Sequence, residues 1–396
     1  MSTSPTSSSP AANGPDVFVV GSDLIKFGRF PDQTPAKLGA AAAKLALEDA
    51  GIGIKDIQAV YSGNVMNAAA MVGQQILREL GQTGVPVSNT SNACATGATA
   101  MREAYTAIKA GMYDLVLVVG SEQLGKAGLM MAGGRGGISP EGVLGSGLMP
   151  AVFGEAGQEH AAKYGTTLEQ FAKVSVKNHE HSMKNPKAMY QKETPLEMVL
   201  DSEMIAYPNT KLMCSVNVDG AAAVVLASPK KARELGMKRA VKVSASILTS
   251  DRYSERNLTM PDFNTCTRDA AKLAYETAGI GPEDLDLIEL HDCFAVAEIL
   301  HYENLGLCKE GDAGRMIDEK ETYWGGKIPV NLSGGLLSKG HPTGATGVAN
   351  IVEIVQHLRG EAGARQCEGA KVGLTHVLGI AFGSACAVHV LEKVNA

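Results

Sequence analysis

A thiol and an imidazole open two stretches of the same pattern, CATGATA from Cys94 and HPTGATG from His341. At an offset of 341 − 94 = 247, Thr96, Gly97, Ala98 and Thr99 coincide with Thr343, Gly344, Ala345 and Thr346. Alone, Cys94 would read as a buried structural thiol and His341 as a loop histidine. A nucleophile and a base at equivalent points of a duplicated unit are instead the components of Cys–His covalent catalysis. A second constellation, His291-Asp292-Cys293-Phe294, carries another thiol. Such a group can act as acid and base on carbon, its proton affinity lying nearer neutrality than that of a hydroxyl.

The duplication extends upstream. Residues 42–56, AAKLALEDAGIGIKD, repeat as AAKLAYETAGIGPED at 270–284, an offset of 270 − 42 = 228, with agreement at Lys44, Glu48, Gly51, Gly53 and Asp56 among others. Two matches in the same order describe two homologous halves. Such halves pack about a pseudo-twofold axis, which would bring Cys94 and His341 together at the starts of two related helices. The sequence expects a helix start and the imidazole to favour the Cys94 thiolate. Gly97 and Gly344 would allow close helix packing or an approaching ligand. At the 228 offset His291 and Asp292 replace Gly63 and Asn64, so this loop carries functional side chains its twin lacks. Asp292 is placed to cap a helix with Cys293 in its first turn.

Strand and helix signals alternate on both sides of the chain. DVFVVGS from Asp16, DLVLVVG from Asp114 and GAAAVVLA from Gly220 read as strands buried on both faces. Helices are expected over 36–50, 68–80, 265–278 and 345–359. Another is expected from caps at Thr90 to Asn92 through Ala110, with Gly111 after it. Short strands are expected at 85–87 and 328–332. The expected organisation is a disordered leader over 1–15 and an N-terminal half over 16–120 and 220–240. A loop domain covers 121–219, with glycine clusters near 132 and 143 and a polar helical stretch over about 155–184, and a C-terminal half covers 241–396. Lys173, Lys177 and Lys184 belong to a basic run, placed either to meet nucleotide phosphates or to form an ordinary solvated helix face.

A net charge of −6 supplies no field for nucleic acid or an anionic membrane, so no nucleic-acid partner is expected. No apolar run reaches a membrane span. The Ser/Pro-rich first residues are no secretory signal, and KVNA at the end is no peroxisomal address, so a cytoplasmic protein is expected. Seven scattered cysteines show no C-x-x-C or Cys/His metal spacing, so reduced thiols and no metal are expected.

These motifs resemble thiolases, specifically the sterol-carrier-protein-type thiolases, over residues 16–396. The likeness is densest in DLIELHDCF from Asp286, GGLLSKGHPTGATG from Gly334 and LRGEAG from Leu358. The resemblance implies an α/β thiolase fold, two βαβαβαββ halves in five layers (α/β/α/β/α) with an inserted loop domain, in a homodimer. It implies Cys94 as the acyl-accepting nucleophile, His341 as its activator and an oxyanion-hole donor, Cys293 as acid/base on the α-carbon, and His291 supporting the first oxyanion hole. The backbone N–H of Cys94 with that of Gly379 or Gly383 would form the second, and Ser338 is a further candidate substrate contact. Many thiolases place a second cysteine in a C-x-G motif near the C-terminus. Here that loop reads VLGIAFGSAC from Val377, which leaves the role to Cys293 and makes Cys386 a strand residue. No sterol-carrier domain is expected after residue 396.

The activity implied is reversible cleavage of a 3-ketoacyl-CoA, an acetyl-CoA or propionyl-CoA C-acyltransferase reaction of lipid or sterol side-chain degradation. Coenzyme A serves as co-substrate, with no covalently bound cofactor. Two alternatives stand beside it. One is a retro-aldolase or non-thiolytic acyltransferase acting with a small OB-fold partner protein. The other is a non-catalytic acyl-CoA or lipid-binding protein, which needs no reactive thiol.

Overall fold

In the computed structural model the described residues are 14–125, 149–252, 263–381 and 383–394. The leader expectation and both glycine clusters of the expected loop domain fall mostly or wholly outside them. In chain order the front half runs β1 (Phe18–Leu24), α1 (Pro35–Ala50), β2 (Ala59–Gly63), α2 (Val72–Leu80), β3 (Val87–Thr90), α3 (Thr96–Lys109) and β4 (Leu115–Gln123). Then come α4 (Met149–Tyr164), α5 (Leu168–Ser182), α6 (Leu196–Leu200) and the short strands β5 (Met204–Ala206) and β6 (Asn209–Thr210). They are followed by β7 (Asp219–Ala227) and α7 (Pro229–Leu235). The back half is β8 (Val241–Ser250), α8 (Phe263–Ala278), β9 (Leu287–Glu289), α9 (Ala295–Asn304), α10 (Ala313–Asp318), α11 (Thr343–Arg359), β10 (Val372–Ile380) and β11 (Ser384–Lys393).

The repeat is legible in the elements themselves. Helix α8 is α1 displaced by 228 at both ends, β2 and β9 start at the same offset, and α3 and α11 begin 247 apart. The strands follow the order β3-β2-β4-β7-β1-β8-β11-β10-β9, a mirrored arrangement whose centre is the β1–β8 pairing at Phe18–Val19 and Val241–Lys242. Parallel pairing of β2 with β3 and β4 is reproduced by β9 with β10 and by the bridge from Ile288 to Val330. The strand expected at 328–332 is only that bridge.

Why the strands read as continuous apolar runs follows from the layers. Along β4, Val116 and Val118 face a central cluster with Met101 and Ala104 of α3 and Val348 and Val352 of α11. Leu115, Leu117 and Val119 face the opposite side, with Leu38 and Ala42 of α1 and Ile76 of α2. Helix α8 covers the back-half sheet through Ala270 and Ala274 against Ala245 and Val388. The result is five layers, α/β/α/β/α, with α3 and α11 in the middle. Both faces of each sheet are buried, so alternation of polar and apolar residues has no place in these strands.

The two central helices touch backbone to backbone. A Cβ on Gly97 would lie 2.7 Å from the carbonyl oxygen of Gly344, and one on Gly347 would strike the backbone of Ala98. Of the two roles open to Gly97 and Gly344 in the sequence, the structure shows close packing. The expected helix over 68–80 is split by Met71, whose φ is 54°, so α2 starts at Val72. The strand expected at 85–87 is displaced to β3.

Candidate active site

Each half contributes one reactive side chain from the loop two residues before its central helix, Cys94 ahead of α3 and His341 ahead of α11. The start of α3 differs from the expected cap. Its N-cap is Ala95, with no side-chain cap. Thr90 and Asn92 instead brace the loop, Asn92 Nδ2 donating to Thr99 Oγ1 at 3.0 Å and its N–H to Thr96 Oγ1 at 2.8 Å. Ala93 is held at φ 47°, a left-handed conformation unusual for alanine and typical of constrained functional loops.

The duplicated threonines do equivalent work. Thr99 donates back to the carbonyl of Ala95, and Thr346 donates to the carbonyl of Pro342. Because the Thr346 hydroxyl proton is spent there, its oxygen accepts from His341 Nδ1–H at 2.8 Å. That bond fixes the tautomer: the free lone pair of His341 sits on Nε2, which is buried and has no hydrogen-bond partner among the described residues. Cys94 Sγ and one ring nitrogen each of His291 and His341 lie within 4.8 Å of one another. The two imidazoles meet edge to face with centroids 5.2 Å apart.

Electrostatics correct one expectation. Burial pushes the Cys94 thiol up to about 12, and the charge of Glu122 adds to this; only the backbone N–H of Cys94 works the other way. Burial likewise drives Cys293 well above its ordinary value, with the Cys94 charge the next cause. His341 falls to about 3 through burial, and His291 is lowered well below its usual range by burial and then by His341. The resting site is therefore neutral throughout, thiols and imidazoles alike. A helix start does not overcome desolvation here.

Asp292 is not a helix cap either. Helix α9 begins at Ala295, with Phe294 as N-cap. The Asp292 carboxyl accepts from the N–H groups of Leu336 at 2.8 Å and Leu337 at 3.2 Å, and from Asn178 Nδ2 at 2.7 Å. It thus ties the Cys293 loop to the turn Gly335–Lys339 that leads into His341. Cys293 itself is anchored through its carbonyl, which accepts from Ser215 N–H at 2.9 Å.

A Cβ on Gly379 would clash with the Asn92 carbonyl and come within 3.1 Å of the Cys94 nitrogen, so β10 passes directly against the nucleophile loop. Gly383 is exposed in the turn between β10 and β11, beside Asp251. Cys386 is buried in β11 near Thr267 and Cys266, away from the cluster.

The three lysines of the basic run stand in different surroundings. Lys177 is fully buried, its ammonium paired with Glu298 and bonded to the carbonyl of Val330 at 3.0 Å, so it is closed to a nucleotide. Lys173 is bound by Glu169 and Asp318, and Lys184 lies over the Trp324 ring at 3.4 Å from its centroid. Ser338 is buried and shares a 2.6 Å hydrogen bond with Ser182, joining α5 to the His341 loop.

One residue the sequence reading missed is Glu122, buried at the end of β4. Its carboxylate accepts from Asn64 Nδ2, from Val65 and Met66 N–H, and from Thr343 Oγ1 and Gly344 N–H, so it clamps the start of α11 to the front half. Burial still raises its pKa despite these donors. The signal was an acidic residue ending an otherwise apolar strand.

The family described as thiolase, N-terminal domain, matches residues 17–206, and that described as thiolase C-terminal domain-like matches residues 249–393. Sterol carrier protein 2 of Bos taurus is 40% identical, over 94% of this chain and 72% of its own. An acetyl-CoA acetyltransferase of Methanothermobacter thermautotrophicus is 38% identical over 96% of this chain and all of its own. Among solved structures, the Ltp2-ChsH2(DUF35) aldolase superposes with a TM-score of 0.78 at 22% identity, covering 96% of this chain and 99% of that one. Human mitochondrial 3-ketoacyl-CoA thiolase in complex with CoA gives 0.73 at 18%, covering 96% and 98%. Among the described residues no helix is long and apolar enough to cross a membrane.

Proposed function

The chain belongs to the thiolase family, and from that premise we propose that it cleaves 3-ketoacyl-CoA by thiolysis, reversibly, through an acyl group carried on Cys94. The observation that carries this reading is the meeting of Cys94 with His341 and His291, the first two from equivalent points of the repeat. His341 Nε2 takes the Cys94 proton as sulfur attacks the keto carbon. The pair need not be ionised beforehand, so proton transfer and attack are coupled.

The carbon–carbon bond then breaks, leaving the acyl group on Cys94 and an enolate of acetyl-CoA or propionyl-CoA. Cys293 gives its proton to the α-carbon. The resulting thiolate deprotonates coenzyme A, whose sulfur attacks the thioester, and Cys94 leaves and recovers the proton from His341. Protonated His341 and the backbone N–H of Cys94, with Gly379 against it, would stabilise the transient oxyanions. Among the described residues β3 ends the sheet with one side unpaired, and that side would supply the surface for a homodimer.

The test is mass spectrometry of protein mixed with a 3-ketoacyl-CoA in the absence of free coenzyme A. An acyl adduct on the Cys94 peptide is expected, absent from Cys94→Ala. No adduct, or undiminished turnover in Cys94→Ala, rejects the proposal. CoA-independent cleavage that survives Cys94→Ala would favour the retro-aldol alternative.

A further inference from the structure

The cluster that performs this chemistry also has the donor set of a soft-metal site. Cys94 Sγ and one nitrogen from each of His291 and His341 fall within 4.8 Å of one another. Around a tetrahedral Zn²⁺, with Zn–S about 2.3 Å and Zn–N about 2.0 to 2.1 Å, ligand atoms stand roughly 3.3 to 3.6 Å apart. The side chains need move inward by little more than about 1 Å to reach that spacing. Residue spacing along the chain could not reveal this, because the three ligands come from loops that only the folded halves bring together.

Two further observations point to a ligand. His341 Nε2 and His291 Nδ1 are both buried and both without a hydrogen-bond partner among the described residues. A buried nitrogen left in that condition is unfavourable, and a cation coordinated at His341 Nε2 would satisfy it. His341 also has the outer arrangement of a ligating histidine: its Nδ1–H is held by Thr346 Oγ1, which leaves Nε2 as the nitrogen available to a metal. Three protein donors with one open position match the zinc sites that retain a water.

We propose that the free enzyme binds one soft divalent cation, Zn²⁺, through Cys94, His291 and His341, and that the bound ion blocks acylation of Cys94. Binding needs only the three side chains, so it stands or falls separately from the thiolase reaction. Occupancy and turnover are mutually exclusive, since a sulfur committed to a metal cannot attack a carbonyl and an acylated sulfur cannot ligate.

Isothermal titration of chelator-stripped wild-type protein with Zn²⁺ is expected to show one tight equivalent. Cys94→Ala, His291→Ala and His341→Ala should each weaken it by at least about tenfold. Cys308→Ser, a thiol outside the cluster, should leave it intact. X-ray absorption of the zinc form should show one sulfur and two imidazole nitrogens, and prior alkylation of Cys94 should abolish the site. If a variant fails to fold by circular dichroism, the alkylated wild type decides. Unchanged binding after alkylation, or an oxygen-only spectrum, would mean an adventitious ion only and overturn the proposal. Acylation proceeding at the same rate with zinc bound would overturn the blocking step.

Discussion

Replacing Thr346 by valine tests how the imidazole is poised. Valine keeps the shape but removes the oxygen that accepts His341 Nδ1–H at 2.8 Å. The buried N–H then loses its acceptor, which costs roughly 1–3 kcal/mol against the tautomer with its lone pair on Nε2. Because only that tautomer accepts the Cys94 proton, the loss transfers to the acylation barrier as about a 5- to 160-fold slower step. Single-turnover acylation with a 3-ketoacyl-CoA reads this directly. Thr346→Ser, which keeps the acceptor, should recover most of the rate even if it melts lower. Nitrogen-15 chemical shifts of His341 should show the proton leaving Nδ1 in Thr346→Val alone. An acylation rate within twofold of wild type, with an unchanged tautomer, would refute the assignment of Thr346 as a positioning residue.

Three more outcomes follow from the same geometry. Gly347→Ala forces a methyl into the backbone of Ala98; overpacking of this kind costs about 1–3 kcal/mol, read as a lower midpoint in urea, and a wild-type midpoint would contradict the contact. Burial lowers the pKa values of His291, His301, His341, His376 and His389 from 6.5, three of them to about 3, so the folded state disfavours the extra proton. Their contribution is intact above pH 6.5 and is lost as pH falls, each costing roughly 1.4 kcal/mol per unit below that value, so cooperative unfolding is expected between about pH 4 and 6. Circular dichroism showing a stable fold at pH 3 would contradict it. Finally, a Cys94 thiol raised to about 12 predicts iodoacetamide labelling that climbs about tenfold per unit from pH 7 to 9, and a flat profile would mean a preformed thiolate.

The repeat was legible because duplication leaves matching letters. The 228 and 247 offsets identify equivalent helices and set Cys94 opposite His341. What escaped the sequence was whatever depends on tertiary partners. Asp292 looks like a cap by local pattern, yet backbone N–H groups of the 335–339 turn, 44 and 45 residues downstream, take its oxygens. Lys177 sits in a polar run that reads as a wet face, but Glu298, inside the apolar AVAEILH of α9, compensates its charge in the interior. Thiolate stability failed for a related reason. A helix start is visible in sequence, whereas the depth of burial that outweighs it is not.

The glycine crossing of α3 and α11 limits how the molecule moves. With main chain seated on main chain there is no clearance between the halves, and sliding either rod by one residue, about 1.5 Å, would drive a side chain into the other. Sulfur and imidazole are thus carried at the ends of two rods locked in register by their backbones.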